Sequence, residues 1–469
     1  MKNFYIFSVL FALSGTLSSQ IIGFRDLGVL FSKENYNGTA RYNAMSGAFG
    51  ALGGDISSIY QNPAGAAVFS KSEISGTYSV SSLDTDATYY GETSNSTNTS
   101  SRFPQFGMVV VVDSPYANSN WTKFTLGFNY SMLNDFRGNY STIGNNNSFV
   151  RYDLHPYDSD ATLYNNPEEQ YFENTTHGKS EVYTFSFSSA YKDFFYIGSS
   201  LNFNTIELTQ DTFLSEYNSN NNGQTLTADY SQFITEKSTG VSLGIGMIIK
   251  PFRNLRLGLA YQSPVWHPEV NEDSNLIDYD QYNEYTGFQE QGYLDIDNRT
   301  NGFYQNTSSN YPQLDLSQYS LSTPEKWTAS AAITIGQHGL ISVDYHRKNY
   351  SSLSFQNSPY FSDTNEEIRN ILTTANGLRG GVELRFNQIS LRGGAFTEES
   401  PYKNEEGDIY KKGISFGLGL KFKHAKLDFA YQHKETEDQY AIYHSSEPVE
   451  NITLLNTTDR ITSTLSFTF

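Results

Sequence analysis

Residues 414–422 read ISFGLGLKF, and residues 461–469, which end the chain, read ITSTLSFTF. In both stretches large apolar residues alternate with small or polar ones. The same alternation occurs in 124–130 (FTLGFNY), 255–261 (LRLGLAY) and 378–386 (LRGGVELRF). Successive side chains of a β-strand point to opposite faces. These stretches therefore predict strands with one apolar and one polar face, and the polar faces are rich in Gly, Ser and Ala.

Extending this pattern along the chain predicts fourteen strands, at 73–83, 103–112, 121–131, 181–191, 194–209, 237–250, 254–266, 326–336, 339–349, 376–387, 388–397, 412–423, 425–436 and 460–469. The connections between them alternate in length. The long ones are 84–102, 132–180, 210–236, 267–325, 350–375, 398–411 and 437–459, and every connection between two long ones is short. Outer-membrane barrels have short periplasmic turns and long surface loops, whereas a soluble β-sandwich has no reason to alternate. We therefore predict a 14-stranded antiparallel transmembrane barrel in the outer membrane of a Gram-negative bacterium.

The composition agrees with a barrel and excludes other classes. The 469 residues include 50 acidic and 31 basic side chains, for a net charge of −19, and only 38% are apolar. An acidic chain lacks the basic footprint of a nucleic-acid-binding protein, and no apolar run after the first twenty residues is long enough for a spanning helix. There are 35 Tyr and 33 Phe but no Cys, so neither a disulfide nor a thiolate metal site can form.

The N-terminus has the features of a secretory signal. A basic start at Lys2 is followed by the apolar stretch 4–17 and by small residues at 18–19. Such a segment is removed in the mature protein. We assign residues 1–19 to the signal peptide and residues 72–469 to the barrel.

Residues 20–71 do not alternate. Residues 41–54 read RYNAMSGAFGALGG, and Asp55 could cap a short helix that ends at Pro63. About fifty residues cannot easily form a core of their own, but they can fill a wide barrel, whose lumen is otherwise open. We expect this segment to plug the barrel.

The chain resembles the FadL/TodX family of outer-membrane transporters for long-chain fatty acids and other hydrophobic compounds. The resemblance rests on 40–48 (ARYNAMSGA), 53–55 (GGD), 62–65 (NPAG), 257–264 (LGLAYQSP), 391–395 (LRGGA) and 427–431 (LDFAY). It implies that residues 20–71 are the family's hatch, a plug inside the barrel. It also implies passive uptake of long-chain fatty acids or of aromatic and other lipophilic compounds.

The resemblance assigns roles to the hatch and to one strand. Asn62, Pro63 and Ala64 would form the hatch element that packs near an inward kink in the third strand, where the wall opens laterally to the bilayer. In this chain the third strand is 121–131, and Gly127 would be the residue that bends. The family's ligands bind in apolar pockets between hatch and loops. The residues of the early hatch that could line such a pocket are Phe24, Leu27, Val29, Leu30 and Phe31.

The charged residues of the strands lie opposite the apolar faces. A charge facing the middle of the bilayer costs about 2–4 kcal/mol, so these residues should point into the lumen and pair with one another or with the hatch. They are Arg256, Asp344, Arg379, Glu383, Arg385 and Arg392.

Three functions other than transport have to be considered: an enzyme, haem-related uptake and a scaffold role. Ser342, Asp344 and His346 share a strand face, but a charge network explains them better than a hydrolase site, and we predict no enzyme. The eight His are dispersed, which gives no ligand set for haem-related uptake, and no cofactor or metal is expected. A scaffold role in a secretion complex stays an alternative to transport. The expected partners are a hydrophobic ligand, outer-membrane lipid and, through Phe469, the barrel-assembly machinery, with the protein a monomer.

Overall fold

The computed structural model describes residues 22–35, 37–114, 119–145, 163–274, 291–296, 315–357, 361–405, 408–442 and 450–469. The assigned signal peptide, 1–19, lies outside these residues. None of the helices in the described ranges is long and apolar enough to cross a membrane.

The described residues form one antiparallel sheet of nineteen strands. The strands are β1 (Glu73–Tyr89), β2 (Glu92–Asp113), β3 (Trp121–Asp135), β4 (Gly138–Gly144), β5 (Asn166–Tyr191), β6 (Phe195–Ser219), β7 (Thr225–Phe252), β8 (Leu255–Gln262), β9 (Trp266–Ser274), β10 (Gln291–Ile296), β11 (Asp315–Ser322), β12 (Lys326–Ile335), β13 (Gly339–Asn349), β14 (Ser354–Gln356), β15 (Thr374–Phe386), β16 (Ile389–Glu399), β17 (Ile409–Lys421), β18 (Ala425–Tyr440) and β19 (Ile452–Thr468).

Fourteen of the strands close into a barrel, as predicted. Strand β1 pairs with β19 from Glu73–Thr468 to Thr88–Thr453, which joins the two ends of the sheet. The other five, β4, β9, β10, β11 and β14, add to the wall on the loop side. The outer face carries the predicted apolar residues, and Ile414, Phe416 and Leu418 of β17 are all exposed. Such an apolar outer band is typical of barrels in the outer membrane.

Several long connections are strands rather than loops. Residues 84–102 form a hairpin with its turn at Tyr90-Gly91, and β6 and β7 likewise continue to a turn at 220–224. In β2 the stretch 92–102 reads ETSNSTNTSSR. Both faces of this extension are polar, so the apolar alternation by which strands are recognised is missing there.

Residues 22–35 and 37–71 lie within the barrel. They contain α1 (Phe24–Ser32), α2 (Ala40–Ala44), α3 (Ser58–Gln61) and a 3-10 helix at Pro63–Val68. The side chain of Thr39 accepts the N–H of Tyr42 and so caps α2. Two more 3-10 helices occur at Tyr350–Ser352 and Lys403–Glu405, and α4 spans Phe361–Ile371 in the loops.

Candidate functional site

The largest apolar cluster lies where α1 meets the loop-side strands. Leu27, Val29 and Phe31 of α1 are buried in it, and Phe24 and Leu30 pack against it. The structure thus brings together all five of the hatch residues named from the sequence. The residues that meet them come from the β3–β4 connection, from β6, β9, β11, β14, β15 and α4, and from the segments next to β14 and α4: Phe136, Ile206, Leu208, Val270, Tyr319, Leu321, Tyr350, Leu353, Phe355, Phe361, Ile368, Leu372 and Ala375. We call this set, with the five α1 residues, the hatch cluster.

Four aromatic rings form the centre of the hatch cluster. The ring of Phe24 meets those of Tyr319, Phe355 and Phe361 edge-on, at centroid distances of 5.5, 5.6 and 5.1 Å. Phe355 and Phe361 stack on each other at 5.3 Å. The sequence gives no signal for these three residues, because Tyr319 lies far from Phe355 and Phe361 in the chain and the three share no periodic pattern. Apolar and aromatic linings of this kind are typical of pockets for lipophilic ligands.

Lysines fix the end of α1 to the wall. Lys326 and Lys348 form ion pairs with Glu34, and Lys348 also donates to the carbonyl oxygen of Ser32. Lys411 Nζ donates to the carbonyl oxygen of Glu34 at 2.9 Å. Burial alone would raise the pKa of the Glu34 carboxyl, but the two ammonium groups outweigh it and hold this pKa well below its usual range. Glu34 is therefore a charged clamp between hatch and wall.

The Asn-Pro-Ala element packs on a different part of the wall from the one the resemblance implies. Asn62 Nδ2 donates to the carbonyl oxygen of Gly50 at 2.7 Å and to that of Met247, on β7, at 3.3 Å, while Asn62 Oδ1 accepts the N–H of Ala64. A Cβ on Gly198 of β6 would lie 2.6 Å from the carbonyl carbon of Pro63. The element therefore docks on β6 and β7, where glycines admit its backbone, rather than on the third strand.

The prediction that Gly127 bends the third strand is also corrected by the pairing. Gly127 is paired with Val109 of β2 and Ser186 of β5, and neither register shifts there. A Cβ at this position would lie 3.0 Å from Ile59 Cδ1 of α3. The glycine thus makes room for the hatch, and this contact explains it without a kink.

The hatch does reach an irregular part of β3, but farther along the strand. The register of β3 with β5 shifts between Met132 and Asn134. At this bulge Asn37 Nδ2 donates to the carbonyl oxygen of Met132 at 2.9 Å, and the N–H of Asn35 donates to that of Leu133 at 3.1 Å. Asn37 thus makes the contact with irregular backbone that we expected of Asn62.

The hydrogen-bonded ladder between β2 and β3 ends close to this bulge in β3. The last pair is Gln105–Ser131, next to Pro104, which has no N–H to donate. Beyond it side chains hold the two sides together: Asn98 Nδ2 donates to Asn139 Oδ1 at 2.7 Å, and Arg102 lies 3.1 Å from Asp135. We call this stretch the β2–β3 seam. Pro104 was the sequence signal for it, because proline is rare inside a central strand.

Comparisons with known proteins give matches in structure only. No family model matches the chain, and no curated protein matches its sequence. A Pseudomonas aeruginosa FadL homologue superposes with a TM-score of 0.57 at 13% identity, over 93% of this chain and 99% of that one. The P. putida toluene transporter TodX gives 0.56 at 12% identity, over 93% and 100% of the chains. The chain has the FadL/TodX fold.

Another barrel of the FadL/TodX fold, the Ralstonia pickettii toluene transporter TbuX, matches with a TM-score of 0.51 at 14% identity, over 93% of this chain and 99% of that one. The near-complete coverage of both chains means that the hatch segment and the barrel are matched together. At such low identity the likeness concerns the fold, so the residues of the site have to be interpreted from this chain's own contacts.

The charged residues named from the sequence gather in the lumen of this FadL/TodX-type barrel. Glu383 pairs with Arg41 of the hatch at 2.8 Å, with Arg392 at 2.7 Å and with Arg385 at 2.5 Å. Arg392 in turn pairs with Asp428 at 2.6 Å. These pairs join the hatch to β15, β16 and β18.

The other three named charges contact the hatch or lie near it. Arg256 donates to the carbonyl oxygen of Leu52 at 2.5 Å, and Asp344 accepts the N–H of Gly50 at 2.9 Å. Arg379 is buried beside His346, 3.3 Å from its Nδ1. Asp344 holds the hatch while His346 faces Arg379, so these two residues and Ser342 do not form a relay. Within the described residues no group of three His, Asp or Glu could hold a metal ion.

Proposed function

We propose that the protein is a channel in the outer membrane of a Gram-negative bacterium and takes up hydrophobic small molecules without an energy source. The observation that carries this proposal is the hatch cluster, which sets α1 against the apolar and aromatic residues of the loop-side strands. A plug would only obstruct an aqueous pore. A lipophilic ligand, in contrast, needs a binding site shielded from water on its way through the wall. The structurally similar proteins include a toluene transporter and a monoaromatic hydrocarbon channel.

The ligand class follows from the lining. Phe24, Leu27, Val29, Leu30 and Phe31 would contact it together with the three loop aromatics, so we propose long-chain fatty acids or alkyl-aromatic compounds. The connection 267–325 also contains a few hydrophobic residues that could contact a ligand, at 276, 277 and 288, but these lie outside the described residues. The ligand would reach the cluster from the surface loops.

We propose the β2–β3 seam as the lateral route from the hatch cluster to the bilayer. The ladder between β2 and β3 ends where the polar extension of β2 begins, so the seam would open at the boundary between the apolar outer band and the loops. Here Pro104 ends the ladder and Asn37 of the hatch holds the bulge opposite. Asn62, Pro63 and Ala64 would keep the hatch seated on β6 and β7, with Gly127 admitting α3. The division into signal peptide 1–19, hatch 20–71 and barrel 72–469 is part of this proposal, as are a monomeric state and assembly through the exposed terminal Phe469.

Uptake by cells tests the function. Cells that produce the protein should accumulate labelled palmitate or toluene faster than cells without it, and a protonophore should not abolish the difference. Cross-linking Arg102→Cys to Asp135→Cys across the seam should slow uptake reversibly. Equal accumulation with and without the protein, for every lipophile tested, would favour the scaffold alternative, which co-purification of a partner would then support.

A further inference from the structure

The barrel wall has a second interruption, far from the β2–β3 seam along the chain. Strand β8 is separated from β9 by residues 263–265, β11 from β12 by 323–325, and β13 from β14 by 350–353. Strands β12 and β13 are paired up to Lys326–Lys348, and pairing resumes at Ser322–Ser354 between β11 and β14. The three breaks are therefore neighbours at one height of the wall.

The central break leaves a gap between two edges. In this described stretch no backbone hydrogen bond joins residues 323–325 to residues 349–353. Pro324 has no N–H, and a side-chain contact, Ser352 Oγ to Glu325 Oε2 at 3.2 Å, links the edges. Backbone left unpaired at membrane depth is tolerated where it lines a cavity or is covered by protein. We call this place the β12–β13 gap.

A cavity of about 420 Å³ lies beside the gap, and Glu325 and Asn349 of the two edges help to line it. Leu259, Trp327 and Tyr345 line it, and they are 38%, 48% and 45% exposed on the outer face of the barrel. Glu325 and Arg347 lie at the loop side of the same cavity. A cavity with aromatic and aliphatic walls and charged groups at its rim suits an amphiphile at the membrane interface.

The inner side of the gap belongs to the hatch cluster. Leu321, Tyr350 and Leu353 flank the gap, are at most 2% exposed, and pack with α1. A Cβ built on Gly28 of α1 would lie 2.5 Å from Leu353 Cδ2, so the helix and the gap edge touch. The hatch cluster and the cavity outside the wall thus adjoin the same two edges of the gap, from its inner and its outer side.

We propose that the β12–β13 gap is a second lateral passage, through which a lipophilic ligand moves between the hatch cluster and the outer leaflet. This inference rests on the proposed uptake function and adds a route to it. The ligand is the transported amphiphile itself, because the gap joins the cavity to the cluster that would bind it. A membrane lipid bound in the cavity would not account for the apolar residues that flank the gap on its inner side.

Cross-linking the gap tests this route. The chain has no Cys of its own, so Glu325→Cys and Ser352→Cys can be joined by a short, reducible bis-thiosulfonate reagent. Palmitate uptake should fall severalfold in the cross-linked protein and return on reduction. The control is Lys412→Cys with Glu435→Cys, an exposed pair on the unbroken β17–β18 ladder, 2.9 Å apart in the native ion pair. Its cross-link should leave uptake unchanged.

The outcomes separate the inference from the function on which it rests. If wild-type protein takes up no lipophile, the proposed function fails. If wild-type uptake is present and the gap cross-link does not slow it, the passage is wrong while the function stands.

Photolabelling gives a second measurement that does not depend on the cysteine variants. A diazirine-bearing palmitate should label wild-type protein at residues 325–329 and 345–349, and Ala329→Trp, which fills the cavity from one wall, should remove these labels. Labelling of these residues by a photoreactive phospholipid but not by the fatty acid would identify the cavity as a lipid site and overturn the proposal.

Discussion

At the scale of single residues, Glu34 is the charge on which the seating of the hatch depends most directly. Its carboxylate lies between Lys326 and Lys348, whose side chains are 6% and 8% exposed. Replacing Glu34 by Gln would leave two buried ammonium groups without their counter-ion. Breaking a buried ion pair in this way costs about 3–5 kcal/mol. We expect Glu34→Gln to make residues 22–71 cleavable by protease in folded, outer-membrane-inserted protein.

Glu367→Gln is the matched control, because Glu367 pairs with Arg25 at the surface and is 46% exposed. An exposed pair contributes about 0–1 kcal/mol, so this variant should resist protease like the wild type. Equal resistance of Glu34→Gln and Glu367→Gln would show that the clamp contributes little.

The depressed pKa of Glu34 sets the direction of a pH effect. The folded protein holds the carboxyl ionised below the usual pKa of about 4.3. Its contribution is therefore complete above that pH and is lost as the pH falls through the folded-state pKa. Protease resistance of the hatch should be the same at neutral pH and at about pH 5, and should drop in stronger acid. A loss that already begins near neutrality would point to another group.

At the scale of elements, the 3-10 helix Pro63–Val68 and strand β6 fit without space between them. A Cβ on Gly198 would meet the carbonyl carbon of Pro63 at 2.6 Å and the nitrogen of Ala64 at 2.7 Å. Backbone cannot move aside as a side chain can, and overpacking costs about 1–3 kcal/mol. Gly198→Ala should loosen the hatch, measured as faster hydrogen exchange in residues 58–68. Gly380→Ala, where a Cβ would meet nothing within 4 Å, should exchange like the wild type.

Asn62 tests the same contact from the hatch side. Its side-chain N–H groups donate to the carbonyl oxygens of Gly50 and Met247, and its side-chain oxygen caps the 3-10 helix. Removing a buried partner costs about 1–3 kcal/mol. Asn62→Ala should reduce palmitate uptake while surface expression stays normal. Asn166→Ala, which loses an exposed bond to Asn221, should change neither, and an Asn62→Ala uptake equal to wild type would count against a role in gating.

The elements show which sequence signals were reliable. Alternation such as that of 414–422 requires one face in lipid and one in the lumen, so it located all fourteen barrel strands. It failed for the five others, because a strand outside the membrane has no lipid against its outer face. Strands β9, β11 and β14 instead turn apolar residues such as Val270, Tyr319 and Phe355 inward to the hatch cluster. Gly127 was misread because a glycine that admits a neighbouring element and a glycine that bends a strand look alike in one sequence. The neighbour, Ile59, is 68 positions away.

At the scale of the whole molecule, the pairing of β1 with β19 closes the barrel. Each of the fourteen barrel strands is hydrogen-bonded to a neighbouring strand on each side, so the barrel should resist detergent at room temperature and unfold only on heating. We expect unheated protein to migrate faster on denaturing gels than boiled protein. Identical migration, with the protein recovered from the soluble periplasmic fraction, would contradict a membrane barrel.

The site was predictable only in part. The α1 residues of the hatch cluster could be named because they form one short apolar run, but their partners could not. Tyr319 comes from the connection 267–325 and Phe355 and Phe361 from 350–375, and they meet Phe24 only through the closure of the barrel. The β12–β13 gap likewise depends on Pro324 lying beside a 3-10 helix that no pattern in the sequence predicts.

The central claim is that the hatch blocks polar solutes while apolar molecules pass. The most direct measurement compares the two fluxes in proteoliposomes that contain only the purified protein. The account predicts that labelled palmitate or toluene equilibrates faster than in protein-free vesicles, while a sugar such as glucose remains excluded. Rapid sugar flux without any acceleration of the lipophiles would make the protein a general porin and contradict the account.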